Sequence, residues 1–193
     1  FAFDLCRKRN SNRKTKKVTC VDKANVLGSF YYMRQVFDEV ANNNNDIESN
    51  HAYVDAAALQ MVSRPWDFDV LVTENMFGDI LSDIGAGIMG GMGMAPSADI
   101  GERYAVFQPC HGSAPDIIGQ GKANPTAMFL SASMMLNWLG NIHDNKTLLR
   151  ASSIISEAVE SAYADGSLVP FELGGRAGTN IIIERVFSQI EKC

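Results

Sequence analysis

The chain has 193 residues, 46% hydrophobic and 20% charged, an ordinary globular composition sufficient for one large domain or two small ones. Its net charge is -5, and no apolar stretch reaches the roughly 18–20 residues that a membrane span needs. Cys6, Cys20, Cys110 and Cys193 form no CxxC and no metal-ligand spacing, so a reducing, intracellular and most simply cytoplasmic setting is expected, with no membrane partner.

The chain opens "FAFDLCRKR", without Met and without a signal-peptide pattern. Phe1, Phe3 and Leu5 ahead of basic residues read as the tail of an amphipathic helix, and the whole as a piece of something longer. Residues 1–23 hold eight Lys/Arg against two Asp/Glu; the remainder holds nine against twenty. The basic run "RKRNSNRKTKK" has no interleaved aromatics, and the acidic remainder would repel phosphates. A solvated helix end and loop is expected, with no nucleic acid.

"KVTCVD" (17–22) predicts a short β-branched strand, and "LGSFYYMRQVFDEVANN" (27–43) a helix from its three- and four-residue apolar steps. "NNNND" is a polar turn. "HAYVDAAALQMVS" (51–63) predicts a second helix, stopped before Pro65. "FDVLVT" (68–73) predicts a buried strand running into helical "ENMFGDILSD". "YAVFQ" (104–108) predicts a strand and "PCHGSAPDIIGQGKANP" (109–125) a long loop. Helices follow at 127–140, 147–166 and 180–192. Strands alternating with helices predict an α/β fold. A composition break near 85–101 suggests a boundary dividing 1–89 from 90–193.

"GAGIMG" (Gly85, Gly87, Gly90) matches G-x-G-x-x-G, but that fingerprint binds pyrophosphate only at a strand-to-helix turn. Here the glycines are expected to follow a helix and to permit close packing and turning.

Asp79 and Asp83 sit four residues apart among Met, Phe, Ile and Leu, hence on one face of a helix, where like charges repel. A hard dication such as Mg²⁺ or Mn²⁺ would turn that repulsion into attraction. The plainer reading is a helix cap plus a solvated side chain, and spacing alone leaves both open. Asp55 in "HAYVDAAAL" and Lys23 in "VDKANV" are likewise polar among apolar neighbours; each alone is more often structural. A lysine beside metal-bound carboxylates could accept a proton if the metal lowers its pKa.

Together "VDKANVL", "HAYVDAAAL", "FDVLVTENMFGDILSDIGAGIMGGMGMAPSADIG", "HGSAPDIIGQGKANP" and "ELGGRAGT" resemble the NAD(P)-dependent β-decarboxylating dehydrogenases, which act on 3-isopropylmalate, isocitrate, homoisocitrate, tartrate and D-malate. The resemblance covers essentially the whole chain and implies that family's two-domain fold, present here as an incomplete C-terminal portion. It implies that Asp55, Asp79 and Asp83 ligate Mg²⁺ or Mn²⁺, which holds the hydroxyl and carboxylate of a small 2-hydroxy acid. Lys23, with Asp55, would be catalytic, helping to remove the hydroxyl proton as hydride passes to NAD; CO₂ is then lost. Asn25 would position substrate or nicotinamide. The loop resembles the family's adenosine-binding loop: His111 near adenine, Gly112, Ser113 and Ala114 shaping the pocket, Asn124 bonding the base, and Asp116 selecting NAD over NADP by accepting from ribose hydroxyls. For His111 the competing reading is a satisfied loop histidine. Gln108 departs from the Glu that many members carry there.

By the same resemblance, 1–89 would be part of the smaller, dimer-forming domain and 90–193 the C-terminal part of the cofactor domain. The N-terminal half, with its substrate-clamping arginines and catalytic tyrosine, would be missing. Lys23 and Asp55 would reach into a partner's site in a homodimer, and this chain alone would not turn over. An isopropylmalate-type substrate is favoured over tartrate, D-malate or isocitrate. A non-catalytic regulatory subunit and a metal-dependent phosphohydrolase are the rivals.

Overall fold

The computed structural model describes residues 1–9 and 16–193. Residues 10–15, the middle of the basic run, lie outside them. Among its described cations, Arg7 bonds Asp46, Asn44 and Asp4, and Lys16 donates to the Arg7 carbonyl. The chain divides into two compact units, Phe1–Gly85 and Ala86–Cys193.

The first unit is built on a three-stranded parallel sheet ordered β2-β1-β3, from β1 (Lys17–Asp22), β2 (Glu48–Tyr53) and β3 (Val70–Val72). β1 is central and nearly all buried, as expected of a β-branched strand covered on both faces. Its alternation sorts the core. Val18 and Cys20 pack with Phe3 and Cys6 of α1 (Ala2–Lys8), Phe37 of α2 (Gly28–Asn42), Ile47 and Val70. Val21 packs with Ala57 of α3 (Val54–Ser63) and Leu81 of α4 (Asn75–Met89).

Four sequence expectations need correction. In α1 the buried stripe is Phe3 and Cys6, while Phe1 and Leu5 are exposed. Residues 51–53 are not helical: they end β2, which runs beside β1 from Lys17↔Glu48 to Asp22↔Tyr53. β2 is an edge strand with mostly exposed side chains, so no apolar alternation marks it, and ladder bonds to β1 outweigh local preference. Gly85 and Gly87 lie inside α4 rather than after it; Gly90 (φ +112) and Gly91 (φ +116) end it, in a backbone conformation that side chains resist. Finally, β4 (Pro96–Ile100) was not expected. It pairs antiparallel with β5 (Ala105–Pro109), and its proline sits at the first strand position, where a missing N–H is tolerated.

In the second unit, α5 (Thr126–Ile142), α6 (Lys146–Tyr163) and α7 (Thr179–Ile190) follow the ladder. Ala158, Val159, Ala162, Leu168, Ala177, Ile182 and Val186 form its core. α5 and α6 approach closely through small residues. Ser133 and Ser152 each donate to the other's carbonyl (both 2.9 Å), and a Cβ at Gly140 would come within 2.7 Å of Leu149. No helix among the described residues is long and apolar enough to cross a membrane.

The cysteines give a direct check of this core. Burial, then Asp22, pushes the Cys20 thiol up to about 12, and burial raises Cys6 as well; Cys193 is exposed. In native protein at about pH 8, a thiol reagent should label Cys193 while sparing Cys6 and Cys20, because the thiolate is the reactive form. Equal labelling of Cys20 without denaturant would contradict this packing.

Candidate active site

The first unit gathers a polar cluster where β1 ends. Asp22 is the last residue of β1 and is fully buried. Its carboxylate accepts a forked pair of bonds from Arg34 of α2 (Nε 2.8 Å, NH2 2.7 Å) and a third from the Ala24 N–H (2.8 Å). That third bond shapes the turn after the strand, closed by Val26 and Leu27 N–H groups donating to the Lys23 carbonyl. The guanidinium of Arg34 lies 5.4 Å from the Tyr53 ring centroid, and Lys23 Nζ lies 5.9 Å from the same centroid. Nζ donates to Asp55 Oδ1 at 2.5 Å. Lys23 holds the exposed Asp55 carboxyl below its usual range.

Lys23 and Asp55, 32 residues apart, are therefore brought together. Asn25 is exposed on the adjoining turn. Sequence reasoning missed Asp22, Arg34 and Tyr53 as the frame under the lysine; the available signal was an acid ending an otherwise apolar strand.

Asp79 and Asp83 are both exposed on α4, one turn apart. No hydrogen bond or ion pair to another described side chain engages either carboxylate; Ser82 bonds only the Asp79 carbonyl. The start of α4 is capped instead by Glu74, which accepts from Met76 and Phe77 N–H groups. The capping alternative for Asp79 is thereby removed. Two uncommitted carboxylates at this spacing are a hard-oxygen donor set that fits Mg²⁺ or Mn²⁺. Among the described residues of one chain, however, no three His, Cys, Asp or Glu converge as a metal site, so Asp55 does not join Asp79 and Asp83 here.

The second unit holds a cavity of about 550 Å³. His111, Gly112, Ser113, Ala114 and Asn124 all line it, as do Met92, Gly93 and Glu172. Asp116 does not, although its neighbours Ala114 and Ile117 do; it is exposed in the one-turn helix Pro115–Ile117. His111 Nδ1 lies 2.9 Å from the Gly112 carbonyl, to which it donates as N–H, leaving the rest of the ring exposed. The loop is stiffened by left-handed Ala114, Gly119 and Gly121. Thr179 ties it down through its N–H to the Gly121 carbonyl (2.8 Å) and its hydroxyl to the Ala123 carbonyl (2.5 Å).

Asn124 lines the cavity from a braced position. It is nearly buried, and its side chain is committed within the protein: Oδ1 accepts from Thr126 N–H (3.0 Å), while Nδ2 donates to Glu172 Oε1 (2.7 Å) and faces Met94 Sδ (3.3 Å). Gln108 donates to Asp99 (3.5 Å) across the β4–β5 ladder.

Known proteins match this chain closely. It is 44% identical to the 3-isopropylmalate dehydrogenase of Aquifex aeolicus, over 98% of this chain and 50% of that protein. It is 43% identical to the 3-isopropylmalate/3-methylmalate dehydrogenase of Methanocaldococcus jannaschii, over 100% and 56%. The isocitrate dehydrogenase structure from Methylococcus capsulatus superposes with a TM-score of 0.85 at 40% identity, over 98% of this chain and 53% of that one. The apo β-decarboxylating dehydrogenase from Thermococcus kodakarensis gives 0.83 at 36%, over 100% and 53%. The chain thus spans about half the length of the curated relatives it matches. The family profile described as isocitrate/isopropylmalate dehydrogenase matches residues 1–186, and the chain belongs to that family.

Proposed function

We propose that the intact protein oxidises and decarboxylates a 2-hydroxy acid of the 3-isopropylmalate type, using NAD and Mg²⁺ or Mn²⁺. The Lys23–Asp55 contact carries the reading: a primary amine is held on a braced turn against a carboxylate that remains exposed. The names of the matched relatives support the substrate class, and the Methylococcus structure favours isocitrate as the second reading.

When bound, the dication supplies Lewis-acid polarisation of substrate oxygens and NAD a hydride acceptor. Asp79 and Asp83 from one copy, with Asp55 from another, would hold the dication. Lys23 takes the hydroxyl proton at Nζ, and Asp55 keeps Nζ aimed while doing so. Asn25, exposed beside Lys23, positions the substrate or the nicotinamide. A homodimer is supported by apolar side chains left exposed on the elements that carry these residues or adjoin them: Val26 on the turn after Lys23, Tyr31 and Tyr32 on α2, Leu59 and Val62 on α3, Met76 and Ile80 on α4. The first unit serves as the dimer-forming part, and the second holds adenosine against His111 and the loop that follows.

Calorimetric titration of Mn²⁺ and NAD into the intact protein, with 3-isopropylmalate, isocitrate, tartrate or malate present, tests the scheme. One acid should tighten both ligands and support NAD reduction; no coupling with any of them rejects it. Asp116→Lys should shift the NADP/NAD preference toward NADP by roughly tenfold, since a carboxylate repels a 2′-phosphate. An unchanged ratio would remove Asp116 from cofactor choice.

A further inference from the structure

Glu172 lies in the one-turn helix Phe171–Leu173, closed by left-handed Gly174 (φ +78). Its carboxylate is exposed, lines the cavity and engages two different walls of it. Oε1 accepts from the Asn124 amide (2.7 Å), and Oε2 accepts from the Gly93 N–H (3.2 Å).

We infer that Glu172 is a positioning residue: it sets the spacing between the Gly93 and Asn124 walls and thereby the cavity's affinity for the adenosine half of a dinucleotide. This rests on reading the cavity as the adenosine pocket.

Three features make the carboxylate specific for the task. The Asn124 orientation is chemically fixed, because Oδ1 must accept the Thr126 N–H, so Nδ2 must point at Glu172. Both groups facing Glu172 are therefore donors, which a carboxylate satisfies and an amide cannot, since its NH₂ would confront one of them. The approach is also close. A Cβ on Gly93 would lie 2.6 Å from Glu172 Oε1 and 2.7 Å from Asn124 Cβ, and one on Gly91 would lie 3.0 Å from the same carboxylate. Asn124 in turn anchors α5 through the Thr126 N–H, and Thr126 Oγ1 bonds the half-buried Tyr163 hydroxyl (2.7 Å). Glu172 thus links the Met92–Met94 turn, the cavity loop and the base of α5, none of which it adjoins in sequence.

The test is adenosine 5′-monophosphate binding to the intact protein by calorimetry. Glu172→Gln should weaken it roughly tenfold, and the KM for NAD should rise in step while kcat at saturating NAD changes by less than about twofold. In an Asn124→Ala background the same substitution should cost less than about twofold, because Glu172 acts through Asn124. Gly93→Ala, which crowds the carboxylate from the other wall, should weaken binding comparably. Unchanged affinity in Glu172→Gln overturns the inference. So does an undiminished loss in the Asn124→Ala background, which would mean that Glu172 touches the ligand itself. If wild-type protein binds no adenosine monophosphate, the cavity reading fails, and the inference with it.

Discussion

Lys23→Met should leave the protein folded and reduce turnover of the intact enzyme by about three orders of magnitude, the usual size of a positioned general base. The substitution keeps the length and apolar stem of the side chain and removes only the amine. The amine's contacts are few: Asp55 and, at 5.9 Å, the Tyr53 ring, over which Arg34 also lies and remains. Its partner Asp55 is exposed and returns to water, so stability should be essentially unchanged. The turn holding Lys23 is made by its own carbonyl and by Asp22, neither of which the substitution touches. The effect should fall on kcat rather than on Mn²⁺ affinity, since Asp79 and Asp83 remain. Stopped-flow NAD reduction with thermal unfolding on the same sample separates the outcomes. Activity within about tenfold of wild type would mean that Lys23 is not the base, and a large drop in melting temperature would make it a structural residue.

The contrast between Lys23 and its neighbour Asp22 shows what can be read from a one-dimensional pattern. β1, α2 and α5–α7 are legible because each buries a regular stripe whose period is written in the residues themselves. β2 is not: its side chains are solvated, and what makes it a strand is the backbone of β1. β4, with its proline and mixed polarity, is likewise defined only by β5. The G-x-G-x-x-G match is rightly rejected on context, yet its first two glycines lie within α4 rather than past it, because apolar residues on both sides carry the helix onward. In the site, Lys23, Asp55, Asp79, Asp83 and the cavity loop are legible as polar intrusions into apolar surroundings and through family resemblance. Asp22, Arg34 and Glu172 are not. Each acts through a partner, 12 residues away for Asp22 and Arg34 and 48 for Glu172 and Asn124, and no local pattern encodes such a pairing.

The largest effect on stability is expected from Arg34→Met. Asp22 has no exposure to solvent, and of its four hydrogen bonds two come from Arg34, one from the Ala24 N–H and a long one (3.9 Å) from the Cys20 thiol. Removing the guanidinium leaves a buried carboxylate with one N–H and a weak thiol donor, which should cost on the order of 3–5 kcal/mol. Asp22→Ala should cost less, because the orphaned Arg34 is partly exposed and its charge can reach water. The double variant should recover much of the Arg34→Met loss, since no unpaired charge stays inside. Urea unfolding of both single variants and the double variant reads these differences directly. A deficit that is small in Arg34→Met, or that the double variant fails to recover, would show that the pair is dispensable and that the turn under Lys23 is held by something else.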